Sequence, residues 1–148
     1  MLPRATPRRI RVLVVDDHQL YAEAVTLMLD LEPQIEVVGV ARDGVQAIDC
    51  AQRLRPDVVL MDIDMPKLDG IQATRIACDQ LDDVRVVVVS SSDAPEDVWR
   101  ARNAGAVAYL VKDSAPSALV AAVFDAAGHA ASARRHGAVI RTATVNAA

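Results

Sequence analysis

Two hydrophobic periods take turns along this chain. Short apolar runs alternate with stretches whose apolar residues recur every three or four positions. RVLVV (11–15) ends at Asp16-Asp17, after which Leu20, Ala24, Met28 and Leu31, joined by Tyr21 and Val25, follow helical spacing. IEVVGV (35–40) is β-branched and strand-like. Ala47, Ile48, Ala51 and Leu54 form a helical stripe cut off by Pro56. The apolar run VVLM, opening at Val58, leads straight into Asp62, and a helix over about 70–80 is built on Ile71, Ile76 and Ala77. VRVVVVSS (84–91) is the most apolar run of all. A helix opening near Pro95-Glu96-Asp97 has the proline and acids of a first turn and closes at Asn103-Ala104-Gly105. AVAYLVK (106–112) is a fifth strand, and Leu119, Val120, Val123, Phe124 and Ala127 make a last amphipathic helix.

Five strands and five helices in strict βα alternation predict a parallel sheet with helices on both faces and right-handed crossovers. There is no internal repeat. At 148 residues the chain suits one domain with a real core. No apolar run approaches the ~20 residues of a membrane helix, and the basic start MLPRATPRRIR runs into a strand rather than a signal-peptide core. The expected setting is therefore the cytoplasm, with no membrane partner. Cys50 and Cys78 sit in helical patterns without metal-type spacing and are expected to be plain packed thiols.

Charge changes the picture at the ends. Arg4, Arg8, Arg9 and Arg11 precede residue 12, and Arg134, Arg135 and Arg141 lie in a C-terminal stretch without acids. Removing those seven from the 16 Lys and Arg leaves nine against 20 acids, so the body between them is strongly acidic. Such a body does not suit direct nucleic-acid binding. The expected organisation is a basic tail at 1–9, a domain at 10–130 and a basic linker or disordered tail at 131–148.

In a parallel sheet every strand ends on the same edge, where open α/β sheets bind ligands. Asp16-Asp17, Asp62, Ser90 and Lys112 each follow an apolar strand directly. With the first and third strands adjacent, Asp16, Asp17 and Asp62 would crowd together, and a hard divalent cation such as magnesium relieves their repulsion. Lys112 adds a positive charge and Ser90 a hydroxyl. Together they form an apparatus for phosphoryl transfer, one aspartate attacking while cations neutralise the moving charge.

VLVVDDHQLYAEAV, VVLMDIDMPKLDGIQATR, VVVVSSSD and AVAYLVKDS, in this order and spacing, resemble the receiver domain of bacterial response regulators. The DDH and KDS segments are most similar to the branch that usually carries a LuxR-type DNA-binding domain. The resemblance covers about residues 10–130. It implies a flavodoxin-like (βα)5 sandwich whose five-stranded parallel sheet has the order 2-1-3-4-5. It also implies a switch: Asp62 accepts a phosphoryl group from a sensor histidine kinase or phosphotransfer protein, Asp16 and Asp17 hold Mg2+, and Lys112 contacts phosphoryl oxygens. Ser90 would turn toward the phosphoryl group, Tyr109 would move with it, and the face of the fourth helix, fifth strand and fifth helix would change partners. The chain itself would not be an enzyme beyond its self-catalysed phosphoryl transfer and loss.

Particular residues depart from the family or invite plainer readings. Asp64 stands where the family's main-chain carbonyl reaches the metal, and its side chain is expected, with Ser92, to tune the lifetime of the phosphorylated state. Asp113 follows Lys112 where many receivers have a proline. Asp16-Asp17 could merely cap a helix, Ser90 could be ordinary loop chemistry, Tyr109 could be strand packing, and His18 is expected to be a helix-start residue, since magnesium prefers oxygen. Trp99, beside Arg100 and near Arg102, suits packing or a partner face. The stretch after the last helix is too short for a helix-turn-helix domain, which predicts a stand-alone receiver or a fragment. Ala138, Val139 and Ile140 could extend a homodimer contact or belong to a linker.

Three rival readings compete with this one. Asp62-Ile63-Asp64 resembles the DxD nucleophile of haloacid-dehalogenase-like phosphatases, but Pro66 stands where that family wants a hydroxyl, and the motif is on the third strand. A nucleotide-binding protein would need a glycine-rich loop after the first strand. The third rival is a degenerate receiver that binds partners without phosphorylation.

Overall fold

The computed structural model describes residue 3 and residues 7–136. Within them run β1 (Ile10–Val15), α1 (Gln19–Asp30), β2 (Ile35–Ala41), α2 (Gly44–Leu54), β3 (Val58–Met61), α3 (Gly70–Gln80), β4 (Arg85–Ser90), α4 (Pro95–Ala104), β5 (Ala108–Val111) and α5 (Pro116–His136). Every strand pair is parallel and the sheet order is β2-β1-β3-β4-β5, as the resemblance implied. Strand side chains alternate between two cores. Leu13, Val15, Val59, Met61, Val86 and Val88 face one side, against α2, α3 and α4. Val12, Val14, Val58, Leu60, Val87 and Val89 face the other, against α1 and α5. A sheet covered on both faces explains why the strands are continuous apolar runs.

The α1 stripe read from the sequence holds for Tyr21, Val25 and Met28 and fails for Leu20, Ala24 and Leu31. Leu20 and Leu31 are 80% and 82% exposed, Ala24 is exposed, and so is Leu27. The buried residues are Ala22, Val25 and Leu29, with Tyr21 and Met28 half-buried beside them. The helix carries apolar residues around more than half its circumference. Periodicity alone therefore did not select the inward face.

Arg8 and Arg9 contact the domain while their side chains stay exposed. Arg8 Nη2 donates to Asp57 Oδ1 at 3.0 Å and Arg9 Nη2 to the Ile35 carbonyl at 2.7 Å. Asp57 also accepts from the Arg11 backbone N–H at 2.9 Å, so these contacts close the N-terminal edge of the sheet. At the other end α5 continues through His136, past the expected boundary at 130. Arg4, Arg141 and the tail residues Ala138, Val139 and Ile140 lie outside the described residues. Cys50 and Cys78 are free thiols, as expected, and burial pushes Cys78 up to about 11. No helix among the described residues is long and apolar enough to cross a membrane.

Candidate functional site

The sheet delivers the predicted residues to its C-terminal edge through main-chain bonds. Val15 pairs with Met61, and the next N–H, that of Asp62, donates to the Val15 carbonyl at 3.0 Å. Asp16 N–H donates to the Ala41 carbonyl at 3.0 Å, and Lys112 N–H to the Ser90 carbonyl at 2.8 Å. The β3–α3 loop closes tightly behind Asp62. A Cβ on Gly70 would stand 1.8 Å from the Asp62 carbonyl oxygen, so only glycine lets α3 begin there. Asp69 caps α3 by accepting from the Gln72 N–H at 2.9 Å.

Lys112 is the centre of the cluster. Its Nζ lies 2.7 Å from Asp16 Oδ2 and 3.5 Å from Asp62 Oδ1. Both carboxylates belong to residues only 3% exposed. Burial, and next the charge of Asp16, push the Asp62 carboxyl up to about 6, while Lys112 and the Asp64 N–H oppose the shift. One lysine thus leaves two buried carboxylates incompletely neutralised. The capping reading of Asp16 does not hold. Its Oδ1 accepts from the His18 N–H, two residues on, at 2.8 Å, and the α1 N-cap is His18, whose side chain makes no cap bond. Asp17 and His18 are exposed, and their ligand atoms and those of Asp16 lie within 4.8 Å of one another. Sequence reasoning set His18 aside, and geometrically it stands with the acids. Asp64 is exposed on the loop.

Ser90, fully buried, ends β4. Its Oγ accepts from the Ser92 N–H at 3.1 Å. Tyr109 is buried, and its hydroxyl donates to the Ser92 carbonyl at 2.7 Å. The Ser92 hydroxyl faces α4: it donates to Asp97 Oδ2 at 2.6 Å and accepts from the Ala94 N–H at 3.1 Å. Ser92 therefore joins the end of β4, the β5 tyrosine and the first turn of α4, a hub that no spacing rule marks. On α4, Trp99 is 65% exposed and Arg100 approaches Asp97 at 3.8 Å. Arg102 is exposed in the last turn. Sequence reasoning also missed Tyr21 as part of the site. Its ring centroid lies 4.6 Å from Lys112 Nζ.

Known proteins resemble this chain in sequence and in fold. The model of the response regulator receiver domain family matches residues 12–124. The transcriptional regulatory protein DegU of Brevibacillus brevis is 39% identical over 123 residues, covering 83% of this chain and 52% of that protein. The solved signal receiver domain of NarL from Mycobacterium tuberculosis superimposes with a TM-score of 0.80 at 38% identity, covering 82% of this chain and 98% of that one. A chain of the CheX-CheY-BeF3-Mg2+ complex from Borrelia burgdorferi is 25% identical with a TM-score of 0.75, over 80% of this chain and 89% of that one. This chain spans about half the length of the curated relatives it matches.

Proposed function

This chain belongs to the response regulator receiver family of two-component signalling domains, and from that premise we propose that Asp62 is its phosphoacceptor, charged by a sensor histidine kinase or a phosphotransfer protein. The observation that carries this reading is the Lys112 ammonium held between Asp16 at 2.7 Å and Asp62 at 3.5 Å. In the proposed step an Asp62 carboxylate oxygen attacks the phosphorus of a phosphohistidine. The P–O bond to Asp62 forms as the P–N bond breaks, and the departing imidazole nitrogen keeps the electron pair and takes a proton from water. Lys112 then follows the charge onto the phosphoryl oxygens.

The donor set suits a magnesium ion. Asp16, Asp17, Asp62 and the Asp64 main-chain carbonyl offer only oxygen, and Asp16 and Asp62 share a single cation in a buried setting. When bound, the ion would neutralise charge on the moving phosphoryl group. Output runs through the Ser92 hub. As the Ser90 hydroxyl turns toward the phosphoryl group, the Ser92 N–H loses its acceptor, and the bonds from Ser92 to Tyr109 and Asp97 carry the change to α4. The exposed face with Trp99, Arg100 and Arg102 is then the surface whose partner changes, whether that partner is a separate protein or a further domain of a longer chain. The two free thiols suit a reducing cytoplasm.

The test is incubation with acetyl phosphate and magnesium, followed by intact mass measurement beside Asp62→Asn. A magnesium-dependent, base-labile adduct that the variant lacks supports the proposal. An adduct that persists in the variant overturns it by placing the phosphoryl group on another residue, and none at any magnesium concentration overturns it in favour of a receiver that works without phosphorylation.

A further inference from the structure

Lys112 must release Asp16 and Asp62 enough to meet an incoming phosphoryl group, yet stay in place while it does so. Its side chain is long and flexible, and its three N–H donors are all wanted by oxygen acceptors. A partner that holds the ammonium without taking a hydrogen bond would meet both demands. The face of an aromatic ring does this, because its quadrupole attracts a cation without presenting a competing lone-pair acceptor.

We propose that Tyr21, on the first turn of α1, is a positioning residue for phosphoryl transfer: its ring face, 4.6 Å from Lys112 Nζ, keeps the ammonium over the Asp16–Asp62 pair. This rests on the reading of Asp62 as phosphoacceptor. A further observation supports it. Asp16, Tyr21, Val25, Leu60, Asp62 and Leu119 line one small cavity of about 10 Å3, so Tyr21 packs beside both acidic residues. No hydrogen bond from the Tyr21 hydroxyl is seen among the described residues, which assigns the work to the ring. Tyr21→Phe should therefore preserve function, whereas an aliphatic side chain of similar bulk should not.

The test compares wild type, Tyr21→Phe, Tyr21→Leu and Tyr21→Met, all checked for folding by circular dichroism. Two readouts are taken. The first is the rate of adduct formation from acetyl phosphate at fixed magnesium. The second is the ring-current shift of the Lys112 ε-methylene protons by NMR without any phosphodonor. Wild type and Tyr21→Phe should agree in both. The aliphatic variants should lose the ring-current shift and slow about fivefold, the effect of a partly desolvated cation–π contact. Aliphatic variants as fast as wild type overturn the inference, as does a Tyr21→Phe variant as slow as they are. If wild type itself takes no phosphoryl group, the reading of Asp62 fails. The NMR readout then decides the contact alone, its presence upholding the ring as the holder of Lys112 and its absence overturning it.

Discussion

Ser92→Ala removes one hydroxyl and two hydrogen bonds at the start of α4. The hydroxyl donates to Asp97 Oδ2 at 2.6 Å and accepts from the Ala94 N–H at 3.1 Å. The N-cap residue is Ala94, which has no side-chain acceptor, so beyond Pro95 and the acids Glu96 and Asp97 the helix start depends on Ser92. A hydrogen bond to a carboxylate contributes about 1.5–3 kcal/mol when buried, which we reduce to about 1 kcal/mol because Asp97 is partly exposed to water. Loss of the acceptor at the helix start adds about 1 kcal/mol. A total of about 2 kcal/mol corresponds to a fall in Tm of about 6–10 °C for a domain of this size. The bonds from the Ser92 N–H to Ser90 and from the Tyr109 hydroxyl to the Ser92 carbonyl involve main-chain groups of Ser92 and survive the change. The loss should therefore be local. Calorimetry measures the shift in Tm, and hydrogen exchange should show α4 amides opening while those of β4 stay protected. Ser92→Thr, which keeps the hydroxyl, should restore both. A Ser92→Ala variant whose Tm stays within about 1 °C of wild type, with α4 fully protected, refutes the reasoning.

Asp62 provides a second prediction. Its carboxyl stands near 6 instead of 3.8, so the folded state holds that proton more tightly than the unfolded chain. The ionised form costs stability above pH 6, and that cost is relieved as pH falls toward 4. Asp62→Asn should accordingly gain about 1–2 kcal/mol at pH 7, after allowing for screening by water at the rim, and less at pH 5. Urea unfolding at both pH values checks this, and equal stability of the two proteins at pH 7 contradicts it. Adduct formation from acetyl phosphate should fall with acidity below pH 6, because the protonated carboxyl is not a nucleophile. Asp64→Asn, at the exposed loop position beside the acceptor, should change the dephosphorylation rate, followed by decay of the adduct mass; unchanged kinetics remove Asp64 from that role. The α1 face is tested by a contrast. Leu29→Ala should cost about 2–5 kcal/mol, whereas Leu20→Ala or Leu31→Ala should stay within about 0.5 kcal/mol in urea unfolding.

The order of elements and the chemistry at the strand ends were legible in the sequence because both depend on neighbours along the chain. A strand covered on two faces must be apolar throughout, so β1, β3 and β4 announce themselves, and the polar residue that stops each run falls at the C-terminal edge of the sheet. Asp16, Asp62, Ser90 and Lys112 were found this way. The acid pair and single lysine also implied a charge problem before any distance was known.

Contacts that need distant segments to approach were decided only by the tertiary structure. The inward face of α1 depended on where the sheet lay, since its sequence offers apolar residues on both sides and Leu20 and Leu31 fit a helical stripe as well as Val25 and Leu29 do. Arg8 and Arg9 look like a solvated basic tail until Asp57 and the Ile35 carbonyl, 49 and 26 residues away, come beside them. Tyr21 is one more half-buried helix residue until the end of β5 brings Lys112 over its ring. Ser92 is loop chemistry until Tyr109 and Asp97 converge on it. A local pattern encodes which groups reach the edge of the sheet. Only packing in three dimensions determines which of them touch, and those contacts set the charge, position and coupling on which the proposed switch depends.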